Sequence, residues 1–188
     1  MTADELRKKY KKIRDEIPAE DRKQYSQDIV DILLDNWDMI ESTDDHVLMY
    51  YPKGSEPDLL TLAAWVLDEG HELYFPVTEG NDIVFYRVDD LEHGFKKGTF
   101  GVMEPIDRTH PYKGEDRSVS FTPGLVFDSN RTDRLGYGKG YYDRFLKKYE
   151  NEVFRIGICF TACVVPKVPT HDGDVHMDYA CTEKGFII

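Results

Sequence analysis

Apolar side chains recur at helical spacing from the start of the chain. Leu6, Tyr10, Ile13 and Ile17 form one stripe, which predicts an amphipathic helix ending before Pro18. Pro18 is suited to open a second helix, with Tyr25, Ile29, Ile32 or Leu33, and Trp37 as its packing stripe. The pair is expected to cover a sheet. Beyond it the period changes: His46 to Tyr51 reads as a strand, and LLTLAAWVLDEG as a helix ended by Gly70. Ser55 is the expected cap of that helix, with Asp58 at the fourth position of a capping box. ELYFP and DIVFYRV predict two short strands, and Phe95 to Pro105 a bent connection.

SVSFTPGLVFD is an interior strand candidate divided by Pro123 and Gly124, whose second half delivers Asp128 to a strand end. A helix from about Gly140 to Tyr149, the strand VFRIGICF, a polar connection containing Pro166, Pro169 and Gly173, and the edge YACTEKGFII complete the chain. Interleaved strands and helices predict an α/β fold. The expected architecture is a single three-layer domain over residues 1–188, with a mostly parallel central sheet, mixed edge strands and an N-terminal helical pair.

Composition bounds the function classes. The 188 residues, 40% hydrophobic and 32% charged, allow one sizeable core. A formal charge of −12 argues against a general nucleic-acid or anionic-membrane binder. The opening segment lacks the apolar region of a secretory signal, and no run approaches the roughly 18 to 20 apolar residues that span a bilayer. A soluble, cytoplasmic protein is expected. Cys159, Cys163 and Cys181 form no repeated metal-ligand pair and are expected as packed free thiols.

The negative charge is uneven. From Arg131 to Lys148 there are six Lys or Arg residues against two Asp, and from Arg7 to Arg14 six basic residues with no acid. Within the first stretch lies RLGYGKGYYD. Gly136, Gly138 and Gly140 permit tight backbone geometry, while Arg134 and Lys139 can approach anionic oxygens. A helix beginning at Tyr141 adds a favourable dipole for phosphate. The segment matches neither the GxxxxGKS/T loop nor the GxGxxG fingerprint.

RLGYGKGYYDRFL, taken with the upstream TPGLVFD, resembles the signature of the 5-formyltetrahydrofolate cyclo-ligase family, also called 5,10-methenyltetrahydrofolate synthetase. The resemblance extends through the N-terminal LR and Arg14 pattern, SEPDLL, GTFGVMEP, and the block from IGICF to DYACTEKG. It implies ATP-dependent cyclisation of 5-formyltetrahydrofolate to 5,10-methenyltetrahydrofolate, with ADP and phosphate released through a phosphorylated formyl intermediate. It also implies residue roles. Arg7 and the run Arg134, Leu135, Gly136, Tyr137, Gly138, Lys139, Gly140, Tyr141 and Tyr142 are expected to bind ATP. Arg134, Lys139 and Tyr141 are the expected catalytic residues. Glu56, with Tyr137, Gly138, Lys139, Gly140 and Tyr141, is expected to bind the folate. Asp143 and Asp174 are the expected magnesium ligands.

Tyr50, Tyr51, Phe75, Phe85 and Tyr86 are candidates to flank the folate rings, although strand alternation favours core packing. His171 and His176 suggest a transition-metal pair less well than magnesium on phosphate. The chain departs from the family pattern at four places. Ala3 stands where a phosphate-binding lysine is usual, with Lys8 or Lys9 as possible substitutes. The loop from Asp128 to Arg134 is longer and lacks a glycine; Cys163 replaces a glutamine, and Gly173 a histidine. Small-molecule folate and ATP are therefore the expected partners, without nucleic acid or membrane, for a monomer with a dimer as the open alternative. The alternative function is a nucleotide- or folate-binding homologue with weak or lost cyclo-ligase activity; a protein-interaction role leaves the glycine-rich segment unexplained.

Overall fold

The computed structural model describes residues 1–41, 46–114 and 118–188. Helix α1 (Ala3–Glu16) starts at a reciprocal cap: Thr2 Oγ1 accepts from the Glu5 N–H and the Glu5 carboxylate accepts from the Thr2 N–H. Helix α2 (Ala19–Asp35) follows Pro18, and Trp37 opens a separate short helix, α3 (Trp37–Glu41). The chain continues through β1 (His46–Leu48), α4 (Leu60–Asp68), β2 (Glu72–Glu79), β3 (Asp82–Arg87), β4 (Phe95–Lys97) and β5 (Met103–Pro105). Then come β6 (Ser118–Pro123), β7 (Val126–Asp128), β8 (Arg134–Leu135), α5 (Tyr141–Lys148), β9 (Val153–Ile158), β10 (Val164–Val165), β11 (Tyr179–Thr182) and β12 (Gly185–Ile187).

Seven strands form the main sheet in the order β12-β11-β9-β6-β1-β2-β3. The pairs from β11 through β2 are parallel, and the two edge strands, β3 and β12, are antiparallel. This is the expected α/β arrangement, with a mostly parallel centre and mixed edges. Strand alternation divides the core between its faces. On β6, Val119 and Phe121 join Ile29, Val30 and Leu33 of α2 and Leu62, Ala63 and Val66 of α4. The alternating Ser118, Ser120 and Thr122 are also fully buried, and their hydroxyls find partners: Ser120 bonds Thr122 at 3.0 Å, and Tyr112 Oη donates to Ser118 at 2.9 Å. Phe145 and Leu146 of α5 pack with Leu48, Tyr74 and Phe85 in a second apolar cluster. No helix among the described residues is long and apolar enough to cross a membrane.

Three local expectations need correction. Only α2 of the N-terminal pair covers the main sheet. Leu6 of α1 packs instead with Leu125, Val126, Leu135, Val165 and Val168, on the small sheet β10-β7-β8. Ser55 does not cap α4, which begins after Leu59 with no side-chain cap. The reason is that Ser55 is buried and bonded to Arg14 and Asp15 of α1. Asp58 Oδ1 accepts from the Leu60 N–H at 2.9 Å instead of closing a capping box. The segment from Phe95 to Pro105 is an antiparallel pair, β4 with β5, joined by a 3₁₀ turn at Thr99–Gly101. Gly98 allows this closure, since a Cβ there would lie 2.3 Å from the Glu104 carboxylate.

The small sheet is seated on the main one by Phe127 of β7. A Cβ at Gly157 of β9 would stand 2.2 Å from the Phe127 ring, and one at Gly124 would stand 2.5 Å from it. Phe127 in turn pairs with Arg134 across β7 and β8.

Candidate functional site

A cavity of about 490 Å³ opens where the glycine-rich loop faces the segment after β1. That volume lies in the range of small-molecule sites. Arg7, Glu56, the whole run from Arg134 to Asp143, and Asp174 line this one cavity, so residues far apart in sequence meet there. Tyr50, Tyr51, Lys53, Phe100 and Glu104 complete much of the wall.

The loop takes a backbone path that glycine makes accessible. Gly138 has φ +87° and Gly140 φ +67°, both in the left-handed region, and Gly140 is the N-cap of α5. Three arginines tie it down from outside. Arg7 Nε donates to the Gly136 carbonyl at 2.9 Å, Arg14 Nη2 donates to Tyr137 Oη at 2.7 Å, and Arg144 Nη1 donates to the Lys139 carbonyl at 3.0 Å. Lys139 itself is exposed, and its ammonium makes no hydrogen bond or ion pair among the described residues.

Arg134 is the most enclosed cation lining the cavity, with its side chain only 3% exposed. Nη2 donates to Asp143 Oδ1 at 2.8 Å and Nη1 to the Pro123 carbonyl at 3.3 Å, while its guanidinium lies 5.6 Å from the Tyr142 ring centre. Its Nε is buried without a partner among the described residues. Thus the longer loop before it leaves Arg134 at the cavity wall. Within that loop Asp128 organises the turn, accepting from the Asn130 and Arg131 N–H groups at 2.6 and 3.0 Å. Thr132 occupies the left-handed region at φ +54°, where its hydroxyl donates to the Met177 carbonyl.

Glu56 lies in the loop before α4, outside the helical first turn, and is buried. Tyr137 Oη donates to one carboxylate oxygen at 3.0 Å and the Lys53 N–H to the other at 2.9 Å. Burial pushes the Glu56 carboxyl above its ordinary value; the Lys53 N–H, the Arg14 charge and the Tyr137 hydroxyl only partly oppose this. Burial, reinforced by Glu56, also raises the Tyr137 phenol to about 12 and the Tyr142 phenol well above the usual range. Both tyrosines therefore carry their protons at neutral pH, and Tyr137 is available as a donor.

The aromatic candidates divide. Tyr50 and Tyr51 reach the cavity, whereas Phe75 and Phe85 are core residues and Tyr86 bonds Glu79. The sequence placed Arg14, Glu104 and Phe100 in segments that carry the resemblance, but no site role was expected of them. Arg14 continues the Leu6 and Tyr10 face at four-residue spacing, a signal visible only when a charged residue is admitted to a packing stripe. Glu104 is buried between the Thr78 N–H, at 3.1 Å, and Arg108, at 3.5 Å. Phe100 stands 57% exposed at the rim, with φ +57°.

Asp143 and Asp174 suit a hard cation. Asp143 Oδ1 is occupied by Arg134 and the Val175 N–H, and Asp174 Oδ2 by the His171 N–H, which leaves one oxygen of each carboxylate. Among the described residues no group of three or more His, Cys, Asp or Glu side chains is placed to hold a metal. Two carboxylates nevertheless fit magnesium, which takes most of its remaining ligands from phosphate and water. His171 stands by Asp174, and His176 pairs separately with Asp133. Lys8 and Lys9, the two residues weighed as substitutes for the lysine missing at Ala3, are exposed and are not among the residues that line the cavity. At Gly173 an added Cβ meets nothing within 4 Å, and Cys163 is buried.

A sequence model of the family described as the 5-formyltetrahydrofolate cyclo-ligase family matches residues 2–183. The chain is 27% identical over 180 residues to 5-formyltetrahydrofolate cyclo-ligase of Haemophilus influenzae, covering 91% of this chain and 92% of that protein. Against the probable 5-formyltetrahydrofolate cyclo-ligase of Schizosaccharomyces pombe it is 26% identical over 133 residues, 63% of this chain and 65% of that one. The solved structure of Aquifex aeolicus 5,10-methenyltetrahydrofolate synthetase superposes with a TM-score of 0.82 at 34% identity, covering 99% of this chain and 92% of that chain.

Proposed function

From its membership of the 5-formyltetrahydrofolate cyclo-ligase family, we propose that this chain cyclises 5-formyltetrahydrofolate to 5,10-methenyltetrahydrofolate at the expense of ATP. The observation that carries the proposal is the meeting of a buried carboxylate, Glu56, with an arginine-tethered glycine loop in one cavity. A carboxylate suits the N–H groups of a reduced pterin, and a cationic loop suits a triphosphate.

In this reading the formyl oxygen attacks the γ-phosphorus while the bond to the bridging oxygen breaks, and ADP leaves. The phosphorylated carbon is then attacked by N10. Its C–O bond breaks, and the N10 proton ends on the departing phosphate. Arg134 and Lys139 stabilise oxygen charge during transfer, Arg7 holds the loop, and Tyr141 borders the reacting groups. Asp143 and Asp174 are the residues to hold magnesium, which when bound screens the phosphate charge. No protein nucleophile is needed.

The test is to incubate the purified protein with 5-formyltetrahydrofolate, ATP and magnesium, following 5,10-methenyltetrahydrofolate absorbance and ADP together. Equimolar formation of both is expected. Product without ADP overturns the ATP coupling, and binding of both ligands without turnover identifies a homologue that has lost the chemistry, for which Ala3 is the specific motive.

A further inference from the structure

Arg14 is 2% exposed and does not line the cavity, yet its guanidinium reaches three elements around it. Nη2 donates to Tyr137 Oη at 2.7 Å, Nε to Ser55 Oγ at 3.1 Å, and Nη1 to the Gly124 carbonyl at 3.3 Å. None of these acceptors is a carboxylate. A buried cation bonded only to neutral oxygens is costly unless a counter-charge lies close. Two carboxylates stand one hydroxyl away: Asp15, through Ser55 Oγ, and Glu56, because Tyr137 Oη accepts from Arg14 and donates to Glu56 Oε1. Asp15 is exposed and paired with Lys11, so Glu56 is the buried one of the two and the one that lines the cavity.

We propose that Arg14 is a positioning residue, which through Tyr137 fixes the Glu56 carboxylate and thereby sets the folate side of the cavity in register with the glycine-rich loop. The inference rests on the folate role given above to Glu56. Tyr137 belongs to the loop, so one hydroxyl joins the two halves of the site. Helix α1 holds adjacent loop residues, Gly136 through Arg7 and Tyr137 through Arg14, from positions two turns apart. A lysine at position 14 would keep the charge but lose the fork that addresses Tyr137, Ser55 and Gly124 together.

The experiment compares wild type with Arg14→Gln, Tyr137→Phe and the double variant. Wild-type turnover is measured first, because its absence removes the cyclo-ligase reading and leaves the positioning role to the second readout. In steady state, Arg14→Gln should raise the KM for 5-formyltetrahydrofolate about tenfold while changing the KM for ATP much less. The double variant should be no worse than Tyr137→Phe alone. The second readout is independent of activity: the carboxyl carbon resonance of Glu56, followed by NMR, should titrate at higher pH in Arg14→Gln and in Tyr137→Phe than in wild type. If Arg14→Gln does not fold, Arg14→Lys takes its place with the same kinetic expectation, and Tyr137→Phe carries the NMR titration. An unchanged folate KM, an unchanged Glu56 titration, additive effects in the double variant, or equal losses toward both ligands that follow thermal stability would each overturn the proposal.

Discussion

Arg134 and Asp143, expected to serve different ligands, are bonded to each other at 2.8 Å, with the arginine almost wholly enclosed. Removing the carboxylate leaves a buried guanidinium with one long bond to a carbonyl and a cation–π contact. Asp143→Ala is therefore expected to cost about 3 kcal/mol of stability, and Asp143→Asn less, because the amide oxygen still accepts. Urea unfolding of the ligand-free protein checks this. Stability unchanged in Asp143→Ala would show that the pair is not structural.

Lys139 and Arg7 separate ligand binding from loop support. Lys139→Ala should leave stability within about 0.5 kcal/mol of wild type while weakening ATP about tenfold, since the exposed ammonium holds nothing in the free protein. Arg7→Ala should weaken ATP and also lower stability by about 1 kcal/mol, because its bond to the Gly136 carbonyl is lost. Calorimetric ATP titration beside thermal unfolding distinguishes the two. A lysine variant that unfolds more readily than the arginine variant would contradict the assignment.

The pH dependence of stability carries a sign that Glu56 determines. Its folded-state pKa is raised above the ordinary 4.5, so in the window just above that value the folded protein holds the proton more tightly than the unfolded chain. Its contribution to stability is thus greatest at acid pH and declines as pH rises through the folded pKa. Relative to Glu56→Gln, wild type should lose stability as pH rises above the ordinary 4.5, then level off once the carboxyl is ionised in both states. Denaturant unfolding of both proteins across that range supplies the difference. A difference that rises with pH would reverse the sign.

Thr132 pays for its left-handed backbone with a hydroxyl bond to the Met177 carbonyl. Thr132→Gly removes the strain and the bond together and should be close to neutral. Thr132→Val keeps the strain and loses the bond, so it should be less stable than the glycine variant by about 1 kcal/mol or more. Thermal melts rank them, and equal stabilities would locate the loop's support elsewhere.

The order of helices and strands was legible because their apolar periods differ, and the glycine-rich segment carried its own signature. What was hidden depended on contacts distant in sequence. Ser55 reads locally as a cap, but Arg14 and Asp15, about forty residues away, claim its hydroxyl. Arg14 itself sits among exposed lysines, so its burial follows only from what α1 packs against. Phe95 to Pro105 lacks a clear alternation, and its pairing rests on Gly98 making room for Glu104. Glu56 is recognisable by resemblance, whereas the Tyr137 and Lys53 donors that orient it emerge only in three dimensions.

Phe127, seated over Gly157 and Gly124, acts as a keyway between the two sheets. The arginine opposite it on β8 inherits its placement from the absence of a single carbon atom at each of two backbone positions, one on β9 and one, Gly124, against the arginine itself. A methyl group added on β9, at the base of the core, would be transmitted through that ring to Arg134. Such a change would disturb the buried ring first and reach the cavity wall through it, although the altered residue lies outside that wall.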